Sequence, residues 1–229
     1  MEGTGTVRAA ALVLIVVPFL EILAMTYHPS VHAHEVTQVV SELRASAGSS
    51  ALVHGILIAL MYLVLLGFTE FSVRRGLSRA ADRAALITYG AGVLLMTLAA
   101  LVSGFITPRI ALAVPALAPA DPALIVQLAT FATLFNQAFA HCAAVLQSAA
   151  IAAWSLGLLR GSVAARVVGG FGLLTGIGCA LALVGGVLRL DVHGMAAVLA
   201  LQSVWTVGAG CLLWREARSP DLHAPQARR

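Results

Sequence analysis

Six long apolar runs constrain this chain more than any other feature of its sequence. They lie at about 9–27, 51–73, 85–106, 131–159, 164–188 and 195–214, and about 20 apolar residues are what an α-helix needs to cross a bilayer. Lipid offers no hydrogen-bond partners, so the backbone N–H and C=O groups of a spanning segment must bond to each other. A single segment of this length can do so only as a helix. We therefore predict an all-α, polytopic membrane protein, a bundle of six transmembrane helices.

Composition supports this class and excludes others. The chain is 60% hydrophobic and 10% charged, whereas soluble domains carry roughly 25% charged residues. Residues 1–216 are predicted to form a single transmembrane domain, and 217–229, "ARSPDLHAPQARR", a disordered cytoplasmic tail. The expected surroundings are a lipid bilayer, with a membrane-protein partner or a homo-oligomer left open. No nucleic-acid partner is expected, because the arginines are spread over short loops without a basic patch.

The arginines predict an orientation. The chain has no lysine, and eleven of its 14 arginines fall in segments on the N-terminal side of the predicted membrane; the others are Arg44, Arg109 and Arg189. Because cytoplasmic loops carry the excess of basic residues, we predict a bacterial-type inner membrane with both termini cytoplasmic. An alternative is a signal peptide cleaved after "VHA", before His34, which would leave five spans. The length of the apolar segment and its Glu21 argue against cleavage.

Two of the predicted periplasmic segments have recognisable character. "HEVTQVVSELRASAG" places Val36, Val39, Val40 and Leu43 on one helical face, which predicts a short amphipathic helix on the outer surface. The Pro/Ala-rich segment 107–122 is too broken for a span. We expect it to cap the outer face, with the residues after it extending the fourth helix.

Three histidines share one predicted depth. His54, His141 and His193 stand 20, 19 and 22 residues before a cytoplasmic arginine on the three even-numbered helices. At 1.5 Å per residue, each imidazole lies about 30 Å from the inner arginines, at the outer boundary of the hydrocarbon. This common level predicts that the three rings converge on one periplasmic site.

Other polar residues fall on helical faces near these histidines. Glu21, Met25 and His28 form an i, i+4, i+7 stripe on the first helix, and Met61 follows His54 by one heptad. On the fourth helix, His141 is expected to share a face with a polar second shell, Gln137 and Ser148. Polar stripes in membrane helices face the bundle interior, so these side chains are expected to meet in its outer half.

The leading hypothesis is a metal or haem site used in redox chemistry or metal handling. The candidate metal ligands are His54, His141, His193, Glu21, Met61 and His28. Imidazoles suit Cu, Zn or Fe, and methionine sulfur favours copper; alternatively, His54 and His141 are candidate axial ligands of haem b. The competing interpretation is that each histidine is an ordinary hydrogen-bonded residue at the membrane boundary.

Two further functions stay open, and enzymatic activity is undecided. A small permease or proton-coupled carrier would use Glu21, since an intramembrane carboxylate is costly unless paired, protonated or wet. An accessory subunit of a larger membrane complex would need no site at all. Two structural predictions accompany these: an i, i+4 pair between Glu70 and Arg74, and close helix packing at Gly172 and Gly176.

Overall fold

A computed structural model describes residues 2–29, 35–117 and 122–218, and in these ranges it has helices and no strands. The prediction of an all-α protein is confirmed. The helices are α1 (Glu2–Thr26), α2 (Val36–Ala45), α3 (Ala47–Arg75), α4 (Ala80–Leu101), a π-helical turn (Val102–Ile106), α5 (Thr107–Leu117), α6 (Pro122–Leu158), α7 (Val163–Val184) and α8 (Val192–Arg218). The first two residues of the predicted tail, Ala217 and Arg218, belong to α8, which corrects its boundary. The rest of the tail, 219–229, and the alternative cleavage site before His34 lie outside the described residues.

Within the described ranges, six helical segments are long and apolar enough to cross a membrane, as predicted. They are Gly5–Thr26, Ala47–Arg75, Ala80–Leu112, Ala123–Leu158, Val163–Val184 and His193–Arg218. These segments fit an integral membrane protein with multiple spans.

The third and fourth spans are longer than predicted. Helix α6 has 37 residues, which corresponds to about 55 Å and exceeds a hydrocarbon core of about 30 Å. The segment after residue 106 does not break away as a loop, because α4 continues through the π-helical turn into α5 as far as Leu117. Pro108 lies inside this continuous helix, so its missing amide hydrogen removes one helical hydrogen bond directly after the π-helical turn. The hydroxyl of Ser50 on α3 donates to the Ser103 carbonyl of that turn at 3.4 Å.

The predicted amphipathic helix is present as α2, but its apolar face is covered by protein. Val40 and Leu43 are buried against Ala111 of α5 and against Ile125 and Ala129 of α6. The guanidinium Nε of Arg44 also donates to the carbonyl of Ala111 at 2.8 Å. Its apolar face thus packs on α5 and α6, and the position of α2 on the outer surface of the membrane stays a prediction.

The six spanning segments form a closed ring in chain order. Each packs against the next, and α8 returns to pack against α1. We call the end where α1 ends and α3 begins the histidine end, after His28 and His54. The opposite end, where α3 ends at Arg75 and α8 at Arg218, is the arginine end.

An aromatic cluster fills the ring toward the arginine end. Its members come from four helices: Phe68, Phe71, Tyr89, Trp154 and Trp205. The rings of Phe68 and Trp154 are stacked with centroids 4.7 Å apart, and those of Trp154 and Trp205 with centroids 6.0 Å apart. The Trp154 indole donates to the buried Ser72 hydroxyl at 3.0 Å, so its one polar group is satisfied. The cluster leaves the centre of the bundle closed on this side.

Among the described residues, the ion pairs Arg74–Glu70 and Arg75–Asp82 lie at the arginine end, and they differ in burial. Arg74 and Glu70 form the predicted exposed i, i+4 pair at 3.2 Å. Arg75 reaches Asp82 on α4 at 3.1 Å, with side chains only 12% and 4% exposed, and its guanidinium lies 5.3 Å from the Phe71 ring centroid. The ion pair between Arg75 and Asp82 connects α3 to α4 on the arginine-end side of the aromatic cluster.

Glycines of α7 allow it to pack closely on its neighbours. A Cβ on Gly176 would lie 2.6 Å from the Ser148 carbonyl of α6, and one on Gly172 would collide with Ser155 and Trp205. These contacts are the close packing that the sequence predicts for small residues at four-residue spacing. Gly172 and Gly176 are therefore packing positions.

Candidate functional site: a cavity inside the bundle

A cavity of about 340 Å³ lies inside the ring of helices. Side chains from α1, α3, α4, the π-helical turn, α6 and α8 form its walls, together with Leu190 and Asp191 just before α8, whereas α7 contributes none. Its walls are mostly apolar, including Leu57, Val64 and Val198. The cavity is thus enclosed by the bundle itself and not by a loop on its surface.

The cavity is closed at one end and open at the other. Tyr89 belongs to both its wall and the aromatic cluster, which blocks the way toward the arginine end. Among the wall residues in the described ranges, only Gln137 and Asp191 are exposed, and both lie at the histidine end. From these two positions we infer that the cavity opens at the histidine end.

His28 and His54 meet at this open end. Their Nε2 atoms are 3.1 Å apart, and the rings pack edge to face with centroids 4.7 Å apart. His54 is 4% exposed, and His28, just beyond the end of α1, is half-buried. Burial lowers the pKa of His28 below its ordinary value, which favours the neutral imidazole.

The backbone of α3 fixes the tautomer of His54. Its Nδ1 lies 2.8 Å from the Ser50 carbonyl, which can only accept a hydrogen bond. Nδ1 of the neutral ring therefore carries the proton and Nε2 carries the lone pair. It follows that His28 donates and His54 accepts in the contact between their Nε2 atoms.

The π-helical turn after α4 makes room for the His54 ring. A Cβ on Gly104 would collide with the Cβ of His54 and lie 2.6 Å from its Cγ. The turn also places the Ser103 side chain in the cavity wall, and Thr107 satisfies the Val102 carbonyl at 3.0 Å. Such turns within α-helices are frequent at functional sites, and here the turn positions a buried histidine.

Glu21 carries a carboxyl group deep in the cavity wall. It lies seven residues before His28, about 10 Å further from the opening along α1. The side chain is 8% exposed, and within the described part of the chain it makes neither an ion pair nor a hydrogen bond. A buried ionisable group aimed into a cavity, without a protein partner, is the most unusual feature of the site.

Methionines and amides complete the wall. Met25, Met61, Met96 and Met195 come from four different helices. Gln147, Gln202, Ser203 and Thr206 lie on the deeper part of the wall, on α6 and α8. Gln202 donates to the hydroxyl of Ser148 at 3.1 Å, so part of this polar set is already engaged within the protein.

The structure brings some of the predicted site residues together and separates others. Glu21, Met25, His28, His54, Met61 and Gln137 all line the one cavity. Neither His141 nor His193 lies on its wall; His141 is half-buried and His193 is exposed. Ser148 is fully buried between helices and reaches the site only through Gln202. The hydrogen-bond partner of His54 is thus His28. The functional roles of the six residues that line the cavity stay predictions.

These positions do not support the three-histidine metal site. Across the residues that the structure describes, no group of three or more His, Cys, Asp or Glu side chains is arranged to hold a metal ion. The haem hypothesis needed His54 and His141 to face each other across a gap, whereas the His54 ring contacts His28 directly. The sequence predicted convergence from the equal depth of the three histidines, and equal depth does not determine the direction in which each ring points.

Sequence reasoning missed several wall residues. Asn136, Gln147 and Gln202 are amide side chains inside otherwise apolar helices, and Asp191 stands at the opening. Polar residues within membrane helices mark functional positions. The three amides could therefore have been predicted to face the cavity, as the histidines were. Tyr89 gave no comparable signal, because an aromatic residue is common in a membrane helix.

No family model matches this chain, and neither a curated protein nor a solved structure shows significant similarity to it. The function must therefore be argued from the cavity itself.

Proposed function

We propose that this membrane protein is a small carrier that binds its substrate inside the helix bundle and exchanges it through the histidine end. The observation that carries the proposal is the 340 Å³ cavity with the buried, unpartnered Glu21 in its wall. Ligand sites are typically concave spaces of about 300–1,000 Å³, mostly apolar, with a few placed polar groups. This cavity has that size and that kind of lining.

The asymmetry of the cavity supports a carrier. One end is open, and the aromatic cluster of Phe68, Trp154 and Trp205 closes the other. Carriers expose a central site to one side of the membrane at a time. A second state, in which this cluster separates and the histidine end closes, would complete the transport cycle.

The predicted orientation of the chain determines the side of the membrane to which the cavity opens. With both termini cytoplasmic, the arginine end faces the cytoplasm and the opening faces the periplasm. The excess of arginines on one side of the membrane supports this placement. The state described here would then be the outward-open one.

A binding experiment with a neutral apolar probe tests the proposal. Ala144 is a fully buried wall residue of α6, and Cys142 on the same helix is exposed to the exterior. We expect protein in phosphatidylcholine nanodiscs to bind radiolabelled neopentylbenzene at one saturable site. Ala144→Phe should fill the cavity and abolish this site, and Cys142→Phe should retain it. Equal, non-saturable uptake by all three proteins would contradict the proposal.

A second candidate is metal handling at the histidine pair. Two nitrogens 3.1 Å apart can bind one ion at about 2.0–2.1 Å each, and the hydrogen bond from His54 to Ser50 orients the ring as outer-shell partners do in metal sites. Methionines on the same wall favour Cu(I). Elemental analysis should then find about one copper per chain, lost in His54→Ala and kept in His193→Ala. Metal-free protein after copper loading would exclude this candidate.

A further inference from the structure

We infer that the substrate is a small lipophilic cation, an amine or quaternary ammonium with an apolar body, and that Glu21 is its counter-ion. The inference rests on the proposed function and names the class of molecule that the cavity takes. It is drawn from the charges on the wall, the chemistry of the remaining wall and the burial of Glu21.

The charged groups on the wall are acidic. Glu21 lies deep in the cavity and Asp191 at its opening, and no arginine lines the part of the wall that the structure describes. The chain has no lysine. The other titratable wall groups are His28, His54 and Tyr89, and the two histidines hydrogen-bond to each other. A cation thus meets one carboxyl group on entry and another at depth.

The burial of Glu21 indicates which class of ligand suits the cavity. A carboxylate in the hydrocarbon region is costly unless it is paired, protonated or wet. Glu21 is 8% exposed and has no cationic partner in the described ranges. A bound cation supplies the pair that the protein does not, whereas an anionic ligand would face carboxyl groups without an arginine to offset them.

The rest of the wall suits the apolar body of such a cation. Met25, Met61, Met96 and Met195 present unbranched, polarizable thioethers from four helices, and such side chains adapt to ligands of different shape. Tyr89 adds an aromatic ring on the same wall as Glu21, and aromatic faces attract cations. The wall therefore combines one fixed acid with adaptable apolar surface.

A matched pair of probes tests the inference. Benzyltrimethylammonium and neopentylbenzene have the same shape and differ in charge. Binding to nanodisc-embedded protein is measured for both, and binding to Ala144→Phe is subtracted to remove partition into lipid. We expect the cation to bind about tenfold or more tightly than the neutral probe, because a desolvated carboxylate stabilises it.

Two acid variants assign this preference to one residue. Glu21→Gln keeps the size of the side chain and should reduce the preference to about onefold. Glu70→Gln removes an acid at the arginine end, outside the cavity wall, and should leave the preference unchanged. A preference that survives Glu21→Gln would overturn the role of Glu21.

The two proposals fail in different ways. Saturable binding of both probes with equal affinity would overturn the cation inference and leave a carrier of neutral molecules. If neither probe binds wild-type protein more than Ala144→Phe, the cavity is not a binding site for molecules of this size. Both proposals would then be wrong.

Discussion

His28 donates to His54 through Nε2 atoms 3.1 Å apart, and this contact joins the end of α1 to the beginning of α3. His28 lies just beyond the end of α1, and Met25 and Glu21, on the last two turns of that helix, line the same cavity wall. The histidine pair thus joins α1 to α3 next to the wall that carries the carboxyl group.

Gly104→Ala should destabilise the protein by displacing His54. The new methyl group would overlap the histidine side chain, and overpacking of this kind costs about 1–3 kcal/mol. Thermal unfolding in detergent measures the loss. Gly178→Ala is the matched control, since a Cβ there meets nothing within 4 Å. Equal melting temperatures for Gly104→Ala and the control would mean that the His54 ring is not held by the π-helical turn.

The contribution of His28 to stability should fall as the solution is acidified through the range in which histidine titrates. Burial holds the pKa of His28 below its ordinary value of 6.5, so the unfolded chain binds a proton at a higher pH than the folded one. The contribution of the neutral His28 ring to the free energy of unfolding is complete above about pH 6.5 and is lost as the pH falls below that value. Melting temperatures at pH 7.5 and 5.5 measure the difference.

Two variants isolate His28 in this pH dependence. The fall between pH 7.5 and 5.5 should be smaller in His28→Gln, which has no titrating ring at this position. It should be unchanged in His193→Gln, because His193 is exposed. The same fall in wild type and His28→Gln would be inconsistent with a half-buried His28 whose pKa is lowered by burial.

The two ion pairs of the arginine end should differ in their contribution to stability. Asp82→Asn leaves the buried Arg75 without its partner, and breaking a buried pair costs about 3–5 kcal/mol. Glu70→Gln breaks the exposed pair with Arg74, for which about 0–1 kcal/mol is typical. Urea unfolding in mixed micelles compares them, and a smaller effect for Asp82→Asn than for Glu70→Gln would be the contrary result.

Reporter fusions test the orientation on which the direction of transport depends. A reporter placed after Gly76 or after Arg229 should be cytoplasmic, and one placed within 107–122 should be periplasmic, because eleven arginines of 14 lie on one side. A periplasmic signal at Arg229 would refute the arginine argument and would turn the cavity toward the cytoplasm.

Features that are determined within one helix, such as its length and the face on which its polar residues lie, could be predicted from the sequence. Spans follow from apolar length, and the stripe of Glu21, Met25 and His28 follows from helical periodicity; the structure places all three on one cavity wall. The metal hypothesis instead required rings on different helices to point the same way, which periodicity cannot give. Lipid and bundle interior are both apolar, so hydrophobicity does not mark the inward face of α6. Gln147 faces the cavity there and His141 does not.

The central claim is that a small cation lies in the cavity beside Glu21, and an anomalous-scattering experiment tests it most directly. Crystals of the protein soaked with 4-bromobenzyltrimethylammonium would be measured at the bromine absorption edge. We expect one bromine peak inside the cavity, within the wall formed by Glu21, Met61 and Gln147, and none in crystals of Ala144→Phe. A bromine peak on the lipid-facing surface alone, present in both proteins, would contradict the account.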